Sequence, residues 1–312
     1  MKKMINTTHI EGYLYEHKLE ARETGPKSKN PGTKFIMGTI DIATDDACTN
    51  IVSVHFTYVT ATTAKGATNP SYTTLMNIID GKYGTVMANG KDNAIKLRVD
   101  SALALNEFYT EREGKEELVS AKRNEGGFIH VADALSEKET DRNTFKCDML
   151  ITGVKEVEAD EEKKLPAKAI VRGAIFDFRG SLMPVEFSAI NPGAINYFVG
   201  LGATNATPTF TCVWGNQVSE TIVRQLRTES AFGEDEVREV KNSRKDFVIT
   251  GASKVPYAWD DESTLTAAEV GEAIAARETY LATIKQRQDE YKASKNAAPA
   301  TPVAPAKTGF NF

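Results

Sequence analysis

The sequence predicts a mainly β fold: two tandem small β-barrels, a C-terminal helix and a flexible tail. Three observations carry this expectation. The chain has 312 residues, 41% apolar and 26% charged, which is enough for about two domains with unstapled cores. Short apolar-alternating stretches, broken by Gly, Pro and Asn turns, run to about residue 255. An ordered set of parts at Ile10–Ile79 returns at Met149–Leu201.

Each copy begins with a strand near an I-x-G pattern, Ile10-Glu11-Gly12 and Ile151-Thr152-Gly153. A polar, Lys-containing loop follows. Next comes a strand with a central glycine, Lys34–Ile40 around Gly38 and Ala169–Ile175 around Gly173. A third alternating strand leads to Asn69-Pro70 and Asn191-Pro192. In both places Asn is a good helix N-cap and Pro a good first helical residue.

In the first copy, residues 10–19 place Ile10, Gly12 and Leu14 on one face, with Glu11, Tyr13, Tyr15 and His17 on the other. Loop 21–33 is exposed and basic through Lys27 and Lys29, with Lys34 at its end. In strand 34–43, Ile36, Gly38, Ile40 and Ile42 face the core, and Phe35, Met37, Thr39 and Asp41 face away. A glycine inside a strand marks a bulge, a bend or a close backbone approach. Strand 51–60 sets Val52, Val54, Phe56 and Tyr58 against Ser53, His55 and Thr57. Tyr72, Leu75, Met76 and Ile79 then form a helix stopped by Gly81. Strands are expected at 84–89, 95–109 and 117–132, with the charge run 111–117 as a solvated loop.

Polar residues 133–144 form the expected linker between module 1–132 and module 145–258. In the second module, Val171, Gly173 and Ile175 oppose Ile170, Arg172, Ala174, Phe176 and Phe178. A turn at Arg179-Gly180-Ser181 leads to strand Leu182–Ala189, a helix with Ile195 and Phe198, and strand Thr209–Trp214. Charged residues 227–245 read as a loop, with Arg238, Lys241, Arg244 and Lys245 as a candidate phosphate-contacting flap. Strand Asp246–Ser253 closes the module. Thr266 and Glu269 form a capping box with a Leu265–Val270 staple. They open a helix within 259–295, whose stripe Val270, Ile274, Leu281 and Ile284 packs on the body or on a partner, with an oligomer through this helix as one form of that. Residues 296–312 are Ala- and Pro-rich, extended, and end in Phe310-Asn311-Phe312.

Five short strands with one helix after the third is the plan of the OB-fold, a Greek-key barrel that binds oligonucleotides across strands two and three. Across residues 8–255 the chain resembles tandem OB-fold single-stranded DNA-binding proteins of phages and mobile elements. That resemblance implies a role in DNA replication or recombination. The tail resembles the C-terminal tip of bacterial single-stranded DNA-binding proteins, which implies that Phe310 and Phe312 dock replication or recombination partners. The bacterial tip is acidic before its final Pro-Phe, whereas this tail carries Lys307 and no acidic residue after Glu290.

The residue chemistry points the same way. Sequence-tolerant binding of a single strand needs aromatic faces for bases and cations for the backbone. Tyr13, Tyr15, Phe35 and Met37 share an outward face, flanked by Lys18, Lys27 and Lys34. Arg172, Phe176, Phe178, Arg179 and Trp214 are the second module's candidates. Two other readings stand beside this one. Strand aromatics commonly pack within their own chain. The barrels and helix would equally serve a viral structural or assembly protein.

Other classes find little support. His9, His17, His55 and His130 lack metal-ligand spacing, and no phosphate-loop, dinucleotide or nucleophile-elbow motif occurs. No enzyme, cofactor or metal is therefore expected, and Asp45-Asp46 and Asp260-Asp261-Glu262 read as acidic turns. The separated Cys48, Cys147 and Cys212 indicate no disulfide framework and a reducing, cytoplasmic setting. No apolar run reaches the ~18 residues of a membrane span, and Met1–Asn6 has no signal-peptide core. A net charge of -5 argues against coating duplex DNA by bulk charge. It leaves room for a local basic groove.

Overall fold

The fold is given by a computed structural model. It describes residues 4–159, 166–228, 236–259 and 265–297, with backbone only at 220–228, 236–244 and 294–297. The elements are β1 (Asn6–Glu23), β2 (Lys34–Ala43), β3 (Ile51–Thr60), α1 (Pro70–Ile79), α2 (Val86–Asn89), β4 (Lys96–Arg112) and β5 (Lys115–Val131). They continue with β6 (Asn143–Val157), β7 (Lys168–Phe176), β8 (Leu182–Ala189), α3 (Pro192–Gly200), β9 (Thr209–Thr228), β10 (Glu236–Ala252) and α4 (Ala267–Ala297).

The strands close into two circuits with the same wiring. In the first, β1 pairs antiparallel with β2 and β4, β2 with β3, and β4 with β5. A short parallel pairing of β3 with β5 at Val54 and Asn124 completes it. In the second, β6 pairs with β7 and β9, β7 with β8, and β9 with β10, and β8 meets β10 in parallel at Ser188 and Val248. One apolar helix, α1 or α3, follows the third strand of each. This is the OB-fold plan twice over. The barrels share a sheet, because β1 also pairs antiparallel with β6, from Asn6–Cys147 to Ile10–Asn143.

The repeated glycines have a steric cause. A Cβ on Gly38 would lie 2.0 Å from the Lys18 carbonyl oxygen, and its φ is 127°. A Cβ on Gly173 would lie 2.1 Å from the Leu150 carbonyl oxygen. At both places the neighbouring strand's backbone crosses where a side chain would sit. The helix starts are built as expected. Asn69 Oδ1 accepts from Ser71 N at 3.1 Å, and Asn191 Oδ1 accepts from Gly193 N at 2.8 Å.

Ile10, Leu14, Ile36, Ile40, Val54 and Phe56 fill the first barrel, with Leu75 and Ile78 of α1 closing it. Phe145, Phe187 and Phe247 fill the second, with ring centroids 5.0 to 5.8 Å apart. A buried polar seam joins the two. Asn124 and Gln217 exchange two side-chain hydrogen bonds of 2.9 Å. The Gln217 carbonyl also accepts from Asn50 and Asn143, at 3.1 and 2.5 Å.

Several expected loops and strands turn out otherwise. Residues 84–89 are not a strand: Thr85 caps α2, its Oγ1 accepting from Ala88 N at 3.1 Å. Run 111–117 is the tip of the long β4–β5 hairpin, turning at Glu113 (φ 51°) and Gly114 (φ 73°). Positive φ at both central residues is the type I′ hairpin signature. Run 227–245 falls largely within the β9–β10 ribbon, which pairs from Thr228–Glu236 inward.

Helix α4 has the expected capping box. Thr266 N donates to Glu269 Oε2 at 3.0 Å, and Glu269 N donates to Thr266 Oγ1 at 3.2 Å. Leu265 is fully buried beside Val270. Ile274, placed on the packing stripe by sequence, is 47% exposed. The contact with the β4–β5 hairpin is polar instead, which hydropathy does not reveal. Arg277 Nη1 donates to Glu107 Oε2 at 2.6 Å, and Gln288 Nε2 donates to the Tyr109 carbonyl at 2.6 Å.

Candidate nucleic-acid interface

The outward face of β2 and β3 is shaped by two strand irregularities. Alternation through β2 turns Ile36, Ile40 and Ile42 inward and leaves Phe35, Met37, Thr39 and Asp41 on the outside. In β3 an extra residue lies between Phe56 and Val59, which pair with Gly38 and Ile36. That bulge turns Tyr58 out, where it is 49% exposed. The sequence pattern alone puts Tyr58 in the core. Its ring lies 4.7 Å from that of Phe35, tilted by 40°. The two side chains form an aromatic platform at one end of the face.

Polar groups continue along the same face. Met37 is half-buried. Thr39 Oγ1 and His55 Nδ1 lie 3.1 Å apart. Burial, and then the charge of Arg123, hold the His55 pKa below its ordinary value. Lys18 on β1 pairs with Thr39 and points to solvent. Lys34 and Lys27 are exposed, in β2 and in the loop before it. That loop is closed by Gly32 N donating to the Thr24 carbonyl and Thr24 N to the Thr33 carbonyl, both at 3.0 Å.

The other first-barrel candidates lie apart. Tyr13 pairs with Ala43 at the far end of β2, and Lys91 Nζ sits 5.1 Å from its ring centre. Tyr15 is the extra residue of a bulge between Leu14 and Glu16, and is half-buried.

In the second barrel the expected set separates. Arg172 is exposed on β7 and bonds Glu186 of β8 at 2.7 Å. Phe176 is a correction: it does point away from the barrel core, but it is fully buried in a second cluster with Phe210, Leu265 and Ala273. The start of α4 covers it. Phe178 is 83% exposed in the β7–β8 turn, with the Arg179 guanidinium 5.0 Å from its ring centre. Trp214 lies on β9, across the circuit from β7 and β8, and is 40% exposed. Its indole lies across Gly251, where a Cβ would come within 2.3 Å. Phe310, Phe312 and Asp260-Asp261-Glu262 lie outside the described residues.

The acidic pair Asp45-Asp46 has structural work. Asp45 Oδ1 accepts from Thr49 N and Asn50 N at 2.9 and 2.8 Å, and Asp46 pairs with Arg142 at 2.9 Å. Among the described residues, no group of three or more His, Cys, Asp or Glu side chains is placed to hold a metal ion.

Two OB-type barrels sharing a sheet, one with a half-exposed aromatic pair on its second and third strands, define the class of this protein. Residues 4–287 match the family model described as YorF, and the chain belongs to that family. No curated protein matches it. Among solved structures the chain is similar to the single-stranded DNA binding protein from Thermus aquaticus. A deletion mutant of that protein aligns with TM-score 0.44 and 12% identity, over 84% of this chain and 100% of that one. The wild type aligns with TM-score 0.44 and 11% identity, over 82% and 95%.

Proposed function

We propose that the protein binds single-stranded DNA with little sequence preference, on the outer face of β2 and β3, in support of DNA replication or recombination. The observation that carries this reading is the Phe35–Tyr58 pair on strands two and three of a closed barrel, with Tyr58 exposed and Phe35 half-buried against it. Bases present a π-face to such a platform only when unpaired, and each stacked base contributes about 1–3 kcal/mol. Lys18, Lys27 and Lys34 supply cations for the backbone. On a chain of net charge -5, attraction comes from this local group rather than from the whole surface.

The test is fluorescence anisotropy of a labelled oligo-dT of about 30 nucleotides, long enough for two OB faces, titrated at two salt concentrations with duplex as control. Submicromolar binding that prefers the single strand and weakens with salt is expected. Absence of binding at low salt would overturn the proposal and leave the barrels as protein-contact modules.

A further inference from the structure

A second group of lysines lies where the barrels meet. Lys122 of β5, Lys168 of β7 and Lys245 of β10 line one open cavity of about 220 Å³, together with Glu186, Ser188 and Asp246. Lys122 belongs to the first barrel's hairpin and reaches across to the second. Its Nζ sits 5.5 and 5.1 Å from the ring centres of Phe187 and Phe247, and donates to the Glu186 carbonyl. Cation–π contact holds it in place on those rings. Lys168 Nζ is 3.8 Å from Asp246 Oδ2, which also accepts from Ser188 Oγ at 2.7 Å. Glu186 is shared with Arg172 at 2.7 Å. Three lysines thus line the cavity with two carboxylates, an excess that suits an anion.

Lys245 ties this cavity to the aromatic face. It is exposed, and its Nζ donates to Ser53 Oγ at 2.8 Å. Ser53 alternates outward on β3 and pairs with Asp41 of β2, in line with Tyr58. About 16 Å separates Ser53 from Tyr58 at the rise of a strand. Beyond the lysines, Ile170 and Arg172 continue onto the outer face of β7.

We propose that Lys122, Lys168 and Lys245 form a phosphodiester-binding bridge that carries one single strand from the β2–β3 face of the first barrel to the β7–β8 face of the second. The inference rests on the single-strand reading above. A strand held by the bridge reaches the second barrel intramolecularly, so affinity rises with oligonucleotide length.

The experiment uses the full chain and two oligo-dT probes, of about 8 and about 30 nucleotides, matching one and two OB faces. The variants are Lys245→Gln and the triple Lys122→Met, Lys168→Gln, Lys245→Gln; Met keeps an apolar stem on the two Phe rings. The triple variant is expected to weaken the long probe by about tenfold or more and to flatten its salt slope by about 2, at about 0.7 for each phosphate no longer neutralised. Its affinity for the short probe is expected to be unchanged. Lys245→Gln, at an exposed side chain, is expected to flatten the slope by about 0.7 without altering thermal stability. Equal losses for both probes, or no loss for the long one, would overturn the bridge while leaving the binding face standing. Wild-type protein that binds neither probe would overturn the reading on which the bridge rests.

Discussion

Phe35 and Tyr58 show how far alternation alone reaches. Phe35 is legible as outward-facing because β2 alternates regularly through Ile36, Ile40 and Ile42. Tyr58 is not, because one extra residue in β3 reverses the phase after Phe56, and apolar spacing does not reveal a bulge. Phe176 fails for another reason. Alternation correctly turns it away from the barrel core, but a segment some 90 positions later covers it. Pattern states the face and is silent on what packs against it. Phe35→Ala with Tyr58→Ala is expected to weaken oligo-dT binding by about tenfold to a hundredfold, at about 1–3 kcal/mol for each stacking platform removed. Tyr58 is half-exposed, so the thermal midpoint of Tyr58→Ala should stay near wild type. His55 gives a pH expectation. Its pKa lies below the ordinary 6.5, so it stays neutral on the face, and affinity should change little from about pH 8 to about pH 6.5. A steep gain over that range would show that a histidinium contributes.

Among the elements, α4 and the β4–β5 hairpin form the least legible pair. The capping box locates the start of α4, because its signal lies within four residues. Its docking partner does not emerge from sequence, since Glu107 and Arg277 are 170 positions apart and both polar. In the fold the Glu107 side chain is 1% exposed and Arg277 12%. Burial pushes the Glu107 carboxyl up, but bonds from Arg277 and Ser120 outweigh it and leave its pKa below the ordinary value. A carboxylate whose pKa is depressed by folding stabilises fully above its unfolded pKa, here 4.5, and loses that contribution as pH falls through the folded value. Docking of α4 should therefore weaken below about pH 4.5, seen as faster proteolysis of the 265–297 segment. Arg277→Ala should cost about 3–5 kcal/mol by leaving a buried carboxylate uncompensated. Wild-type stability in that variant would show that the pair contributes little.

For the whole molecule, the order of parts is the strongest sequence signal. Strand, Lys-containing loop, glycine-centred strand and Asn-Pro helix recur in the sequence, and the recurrence matches two circuits of identical wiring. The joint between them leaves no such trace. It consists of the β1–β6 pairing and a carboxamide seam whose members Asn50, Asn124, Asn143 and Gln217 look like loop or surface residues in sequence. Gln217→Leu should remove about 1–3 kcal/mol by leaving Oδ1 of the buried Asn124 without its donor, while Asn124 Nδ2 keeps its bond to the Ser53 carbonyl, seen as a lower urea midpoint at constant m.

The proposed function puts a single strand on the β2–β3 face. Photocrosslinking with a 5-iodo-deoxyuridine oligonucleotide, followed by mass spectrometry of the crosslinked peptides, tests it most directly. Crosslinks are expected to concentrate at Phe35 and Tyr58 and to disappear when excess unlabelled oligo-dT competes. Competable crosslinks concentrated elsewhere, at the Phe178 turn or on α4, with none on β2 or β3, would contradict it.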